Sequence, residues 1–251
     1  MEKPMILAHR GFSGAYPENT RSAFIAAIEA GCDGFETDVH LTADRQAVVI
    51  HDAGLERTST GSGYVYGHTY KELLEYDFGV KYDPRFKGER IMHLSELMEL
   101  VREHGLFLNI ELKFSEVVYP DFEKTVISIV EQHGMESRTL LSSFNHLSMR
   151  LCKQLCPAIR TGLLYANPLF QAEQYARTCG ADALHPHYRL LQLEPALTAR
   201  AKAAGVDINT WTVNDAGDYA QIEELGVSAV ITDHPGRFCS AGSGKEAKPW
   251  K

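Results

Sequence analysis

The feature that most constrains the fold is a repeat of kind rather than of residues: short β-rich apolar runs alternate with amphipathic helical periods along most of the chain. The runs are Met5–Ala8, Gly34–Leu41, Ala47–His51, Leu106–Leu112, Thr139–Phe144, Thr161–Tyr165, Ala181–Leu184, Asp207–Val213 and Ser228–Thr232. An opening helix carries Phe24, Ala27 and Ile28 on one face, with Asn19 or Thr20 as its cap and Gly31 as its stop. Further helical periods fall at Leu94–His104, Phe122–His133, His146–Cys156, Leu169–Thr178, Glu194–Ala204 and Ala216–Leu225. A strand followed by a helix, many times over, requires a parallel sheet, because the helix returns the chain so that the next strand runs in the same direction. Roughly eight such units at this length suit a closed (β/α)8 barrel better than an open doubly wound sheet.

Residues Ala53–Arg90 break the rhythm, are rich in Gly, Tyr and Thr, and read as an insertion. The expected organisation is one α/β domain over 1–251, with a small insertion at about 53–90 and a flexible tail from about 237 that leaves an eighth helix short or absent. Lys+Arg 25 against Asp+Glu 33 gives a net charge of −8. That balance excludes holding nucleic acid or an anionic membrane by general positive charge, so any phosphate recognition is local. The opening MEKPMILAHRGFSG is interrupted by His9 and Arg10 too early for a signal peptide's apolar region. No window supplies the ~20 apolar residues of a membrane span. Five cysteines without a CxxC pair make a poor disulfide framework and point to reduced thiols. A cytoplasmic protein with no nucleic-acid partner and no stable membrane insertion is expected.

Two words carry chemistry, GFETDVHLT and LNIELK. Alternate side chains of a strand share a face, so Glu36 and Asp38 point one way, as do Asn109, Glu111 and Lys113, while Phe35, Val39, Leu108, Ile110 and Leu112 face the helices. Carboxylates brought that close must take up a proton, pair with a cation or bind a metal. Three oxygen ligands without cysteine suit a hard divalent cation, Mg2+ or Ca2+, rather than zinc. An ion-pair network in which Lys113 and Arg10 neutralise Glu36 and Glu111 satisfies the same charges.

His9 follows MILA and His51 follows VVI, so each is expected at the carboxyl end of a strand, the face on which barrel enzymes carry their chemistry. A pair of imidazoles can act as acid and base on opposite sides of a reacting group; a lone one is more often a satisfied hydrogen bonder. Asp52 either orients His51 or caps a turn. Arg10, with its planar fork, and Lys113, as a point charge, make an anion the natural substrate feature. His185 and His187 are expected at the rim, and Thr232, Asp233 and His234 are expected to hold turns.

The segment from HRGFSGAYPENT through ETDVHLT, HD and RTS, followed by ELK, NTWTVND and AVITDHPG, resembles the glycerophosphodiester phosphodiesterase family over about Met5 to Gly236. The third position of the RTT-like element is Ser59 here. The resemblance implies a TIM barrel with a small insertion after the second strand, and a divalent cation held by Glu36, Asp38 and Glu111. It also implies acid/base work by His9 and His51, and phosphate contacts from Arg10 and Lys113. Trp211, read as inward with Asn209 and Val213, is a candidate wall for glycerol, with a barrel-filling tryptophan as the alternative. The implied activity is that of a phosphoric diester hydrolase, releasing sn-glycerol 3-phosphate and an alcohol from a small glycerophosphodiester. Water or the neighbouring glycerol hydroxyl can serve as nucleophile, and either histidine can be the base. Two other readings are a phospholipid head-group lyase that stops at a cyclic phosphate, and a non-catalytic binder of phosphorylated metabolites. Against the binder, binding alone needs no proton donor and acceptor.

Overall fold

Eight parallel strands close on themselves in the computed structural model, which describes residues 3–114 and 117–239. The strands in chain order are β1 (Met5–His9), β2 (Gly34–Leu41), β3 (Ala47–Val49), β4 (Met92–His93), β5 (Phe107–Leu112), β6 (Thr139–Ser143), β7 (Arg160–Tyr165), β8 (Ala183–Pro186), β9 (Asp207–Thr210) and β10 (Ala229–Thr232). The ring runs β1-β2-β5-β6-β7-β8-β9-β10 and closes through the β1–β10 pairing. Helices α1 (Arg21–Glu29), α2 (Tyr70–Leu73), α3 (Leu94–Glu103), α4 (Phe122–Gln132), α5 (His146–Leu155), α6 (Ala172–Cys179), α7 (Tyr188–Leu193), α8 (Ala196–Ala203) and α9 (Ala216–Glu224) lie along the connections. This is the TIM barrel expected from the alternation.

Strand periodicity decides which face each residue takes. Phe35, Val39, Leu108, Ile110 and Leu112 join one core with the helices, while Leu7, Phe107, Ala229 and Ile231 form a separate cluster on the inner face. Fully burying such a side chain contributes about 1.5–3 kcal/mol. A one-residue slip of β2 would put Phe35 and Val39 inside and drive Glu36 and Asp38 into the helix layer, so the register is strongly specified.

Ala47–His51 is not a barrel strand. β3 runs antiparallel to β2, pairing Val39 with Val49 and Leu41 with Ala47, and β4 pairs antiparallel with β3. The reason lies in the connection: Thr42–Gln46 is a tight turn, with Arg45 in the left-handed region at φ 62° and Thr42 N–H donating to the Gln46 carbonyl at 3.0 Å. A parallel return needs about a dozen residues. Between β3 and β4 the chain packs its own apolar cluster around Val48, Ile50, Leu55, Val65, Leu73, Phe78 and Ile91.

Three further boundaries differ from expectation. Pro195 delays the helix expected at Glu194–Ala204, so that α8 starts at Ala196, and a short helix not expected from the sequence, α7, stops before it. The left-handed Gln171, φ 52°, delays α6 to Ala172. β9 ends at Thr210, and Val213 belongs to the outer core rather than facing inward. The expected tail from about 237 lies, from residue 240 on, outside the described residues. After β10 the described chain makes one 3-10 turn, Pro235–Arg237. No helix among the described residues is long and apolar enough to cross a membrane, and the five cysteines are free thiols.

Candidate active site

Strand register assembles the cleft at the carboxyl ends of β1, β2 and β5. His9 pairs with Glu36 across β1 and β2, and Asp38 pairs with Glu111 across β2 and β5. One carboxylate oxygen from each of Glu36, Asp38 and Glu111 lies within 4.8 Å of the others, and all three residues are buried. Lys113 Nζ stands 2.9 Å from Glu111 Oε1 and 3.4 Å from Asp38 Oδ1, and Arg10 Nε stands 3.3 Å from Asp38 Oδ2. The two cations flank the acids, but they pair with Asp38 and Glu111 rather than with the Glu36 and Glu111 of the ion-pair reading, and they do not use up the oxygens. Glu36 Oε2 and Asp38 Oδ1 are buried without a hydrogen bond.

The charges are unevenly shared. Burial, then the charges of Asp38 and Glu111, push Glu36 well above the usual carboxylate range. Burial and Asp38 lift Glu111 to about 7. Burial opposes ionisation of Asp38 too, but Arg10 and Lys113 overcome it and hold that carboxyl below its ordinary range. A cluster in which one acid stays charged and two resist charging is what a hard divalent cation relieves. The oxygen-only donor set and the orphaned oxygens fit such an ion.

Each imidazole is held from behind. His9 Nδ1 lies 2.5 Å from Asp233 Oδ1, which also accepts from Ser13 Oγ at 3.0 Å, and Asp233 Oδ2 accepts from Asn214 Nδ2 at 2.6 Å. A carboxylate only accepts, so the His9 proton sits on Nδ1 and Nε2 faces the cluster, 3.8 Å from Glu36 Oε2. His51 Nδ1 lies 2.6 Å from Asp52 Oδ1. Asp52 orients the imidazole rather than capping a turn. His51 arrives not on a barrel strand but just past β3, where Ile50 N–H donates to the Asp38 carbonyl at 3.0 Å. Burial lowers its pKa, against the opposing pull of Asp38. Burial works against ionisation of Asp52, yet the hydrogen bonds from Arg57 and His51 bring it down to about 2. Arg57 spans the mouth, donating to Asp52 Oδ2 at 2.5 Å and to Glu18 Oε2 at 2.7 Å, and Glu18 receives Arg10 at 3.0 Å.

Trp211 sits just past β9, half-buried, its indole N–H donating to the His185 carbonyl at 2.8 Å. Its ring meets Phe144 and His187 edge-on, with centroids 5.7 and 5.3 Å away. His187 is at the mouth. His185 is not a rim residue: it is fully buried, accepts from Asn209 Nδ2 at 3.0 Å, and burial takes it down to about 3.

Asp233, Asn214, Asn19, Glu18 and Arg57 join the cleft without having been singled out for it. Thr20 caps α1, and its neighbour Asn19, expected as an alternative cap, donates to Asp38 Oδ2 at 3.1 Å and accepts from Thr37 Oγ1 at 2.8 Å. Only one of two adjacent residues can cap, which was a signal that the other works elsewhere. Asp233, expected to hold a turn, follows a strand's carboxyl end directly, as His9 and Lys113 also lie at or past theirs.

The model of the Glycerophosphoryl diester phosphodiesterase family matches residues 9–237. The chain is 40% identical over 233 residues to a glycerophosphodiester phosphodiesterase of Caldanaerobacter subterraneus subsp. tengcongensis, covering 93% of this chain and 95% of that one. It is 37% identical over 233 residues to a glycerophosphodiester phosphodiesterase of Bacillus altitudinis, covering 92% and 95%. Among solved structures, an Oleispira antarctica phosphodiesterase in complex with the product sn-glycerol-3-phosphate superposes with a TM-score of 0.87 at 30% identity, covering 94% of this chain and 95% of that one. With this match across the barrel and its mouth, the chain belongs to the glycerophosphoryl diester phosphodiesterase family, and its chemistry is the hydrolysis of phosphoric diesters.

Proposed function

We propose that residues of this cleft hydrolyse small glycerophosphodiesters to sn-glycerol 3-phosphate and an alcohol, with His9 and His51 as the acid/base pair. One observation carries the reading: three buried carboxylate oxygens converge in a cleft that also holds two imidazoles, each pinned at Nδ1 by an aspartate. Glu36, Asp38 and Glu111 would hold a divalent cation, Mg2+ or Ca2+, which supplies positive charge to a phosphoryl group whose negative charge grows in the transition state. Arg10 and Lys113 engage the non-bridging phosphate oxygens, and Trp211 walls the glycerol. His9 removes the proton of the attacking hydroxyl, and His51 delivers one to the departing alkoxide, which leaves badly without it. The chain acts as one catalytic domain carrying an insertion at about 53–90. It has no nucleic-acid partner, and its free thiols suit the reducing cytoplasm.

The test is glycerophosphocholine hydrolysis after chelation and repletion with Mg2+ or Ca2+, followed by phosphorus NMR. Release of glycerol 3-phosphate only with the ion restored is the expected result; none under any repletion refutes the assignment. A lasting cyclic phosphate would make the protein a lyase instead. Ligand distances of about 2.0–2.1 Å in a loaded crystal identify Mg2+, and about 2.3–2.6 Å identify Ca2+. With a p-nitrophenyl diester, whose leaving group needs no proton, His51→Ala retains its rate while His9→Ala does not. The reverse pattern exchanges the two roles.

A further inference from the structure

His40 stands on the same face of β2 as Glu36 and Asp38, where that strand has passed the barrel and pairs with β3. It is only 4% exposed. Its Nε2 lies 3.0 Å from the His51 carbonyl oxygen and its Nδ1 lies 2.8 Å from the Tyr119 hydroxyl. A carbonyl oxygen only accepts, so Nε2 carries the proton; a neutral ring then presents a lone pair at Nδ1, into which Tyr119 donates. Tyr119 comes from the connection between β5 and α4, where its ring meets Phe122 at 5.1 Å and His40 at 5.9 Å, both edge-on. The connection that follows Lys113 is thereby joined to the backbone of His51.

His51 needs such a support. It lies past the last ladder pair of β3, and its imidazole is held by Asp52, which is itself held by Arg57; the two side chains are 31% and 47% exposed. We propose that Tyr119 and His40 are positioning residues, a hydroxyl-to-imidazole-to-carbonyl relay that fixes the backbone from which His51 is aimed. The inference rests on the reading of His51 as a proton-transfer group. A catalytic group displaced by about 1 Å loses about 10²-fold in rate, and loss of a supporting hydrogen bond behind a working side chain costs about 10- to 100-fold.

Tyr119→Phe removes one hydroxyl and keeps the ring. Its kcat on glycerophosphocholine is expected to fall about tenfold with KM within about twofold, because only the aim of His51 changes. His40→Leu is expected to lose about 50-fold, and His40→Gln, whose amide can still donate to the carbonyl, to keep kcat within about threefold of the parent. His51→Ala is the control, and thermal melting of each variant reports folding. If His51→Ala retains the parental kcat, the reading of His51 itself fails. If His51→Ala is inactive but Tyr119→Phe and His40→Leu keep the parental kcat, the relay is wrong. Equal kcat losses in His40→Gln and His40→Leu, matched by equal drops in melting temperature, also overturn it.

Discussion

The two imidazoles of the cleft are mounted in opposite ways. His9 ends a strand of the closed barrel, is 17% exposed at its side chain, and is braced by Asp233 directly after the strand that closes the ring. His51 hangs from a three-residue antiparallel strand outside the ring, is 31% exposed, and is braced by its own neighbour Asp52 and by an arginine from the inserted segment. One is set by the sheet, the other by a strap laid over it. If the two imidazoles are the acid/base pair proposed above, the barrel holds one half of it and leaves the other half to a connecting segment, the part of a fold that varies most readily in length and sequence.

The largest effect is expected where both mounts share a base. Glu36→Gln should abolish cation binding in calorimetry and lower kcat about 10³-fold, the several kcal/mol that a divalent ion contributes at a phosphoryl group. The braces come next and differ from each other. Asp233→Asn, at the carboxylate held by His9, Ser13 and Asn214, should cost about 100-fold in kcat, and Asp52→Asn about tenfold. Equal losses would erase the distinction between sheet and strap. Asp52→Asn also removes a hydrogen bond that raises the His51 pKa, so the alkaline limb of the kcat/KM profile, if His51 is the acid, should move to lower pH.

The cation-free protein offers a stability measurement. Glu111 titrates near 7 when folded against an ordinary 4.5, so its contribution is fully present below about 4.5 and is lost as pH rises through about 7. Glu36 is raised in the same sense. Buried His185, whose lowered pKa makes stability rise with pH, contributes with and without the ion, so the gain in melting temperature on saturation with Mg2+ or Ca2+ isolates the carboxylates: it should grow between pH 5 and 8, and a gain independent of pH would contradict the charge sharing described. The smallest effect belongs to Arg57→Met. Exposed ion pairs contribute about 0.2–1 kcal/mol, so kcat should drop no more than about fivefold, with the deficit shrinking at high salt.

The barrel was legible because apolar and polar residues alternate with the period of a strand and then of a helix. The carboxylates were legible because Glu36 and Asp38 lie two apart in one strand. The direction of β3 was also written in the chain: Thr42–Gln46 leaves no room for a crossover, yet Ala47–His51 has the composition of a buried strand and says nothing of its direction. The bracing of His9 is different in kind. Asp233 is 224 residues away, and the pairing exists only once the last strand closes against the first. Local pattern does not encode such a contact; ring closure does.

Gly162 on β7 faces inward, and a Cβ built there would lie 2.3 Å from His185 Nε2. The imidazole of β8 thus occupies the volume that a side chain on the neighbouring strand would otherwise fill. Even alanine at 162 would tilt that ring, strain its bond from Asn209, and tug on the carbonyl that anchors Trp211. A hydrogen atom in the barrel's interior therefore governs where the Trp211 ring stands at its mouth, and if that ring is the glycerol wall proposed above, the fit of the glycerol end is set in part by a residue that never meets the substrate.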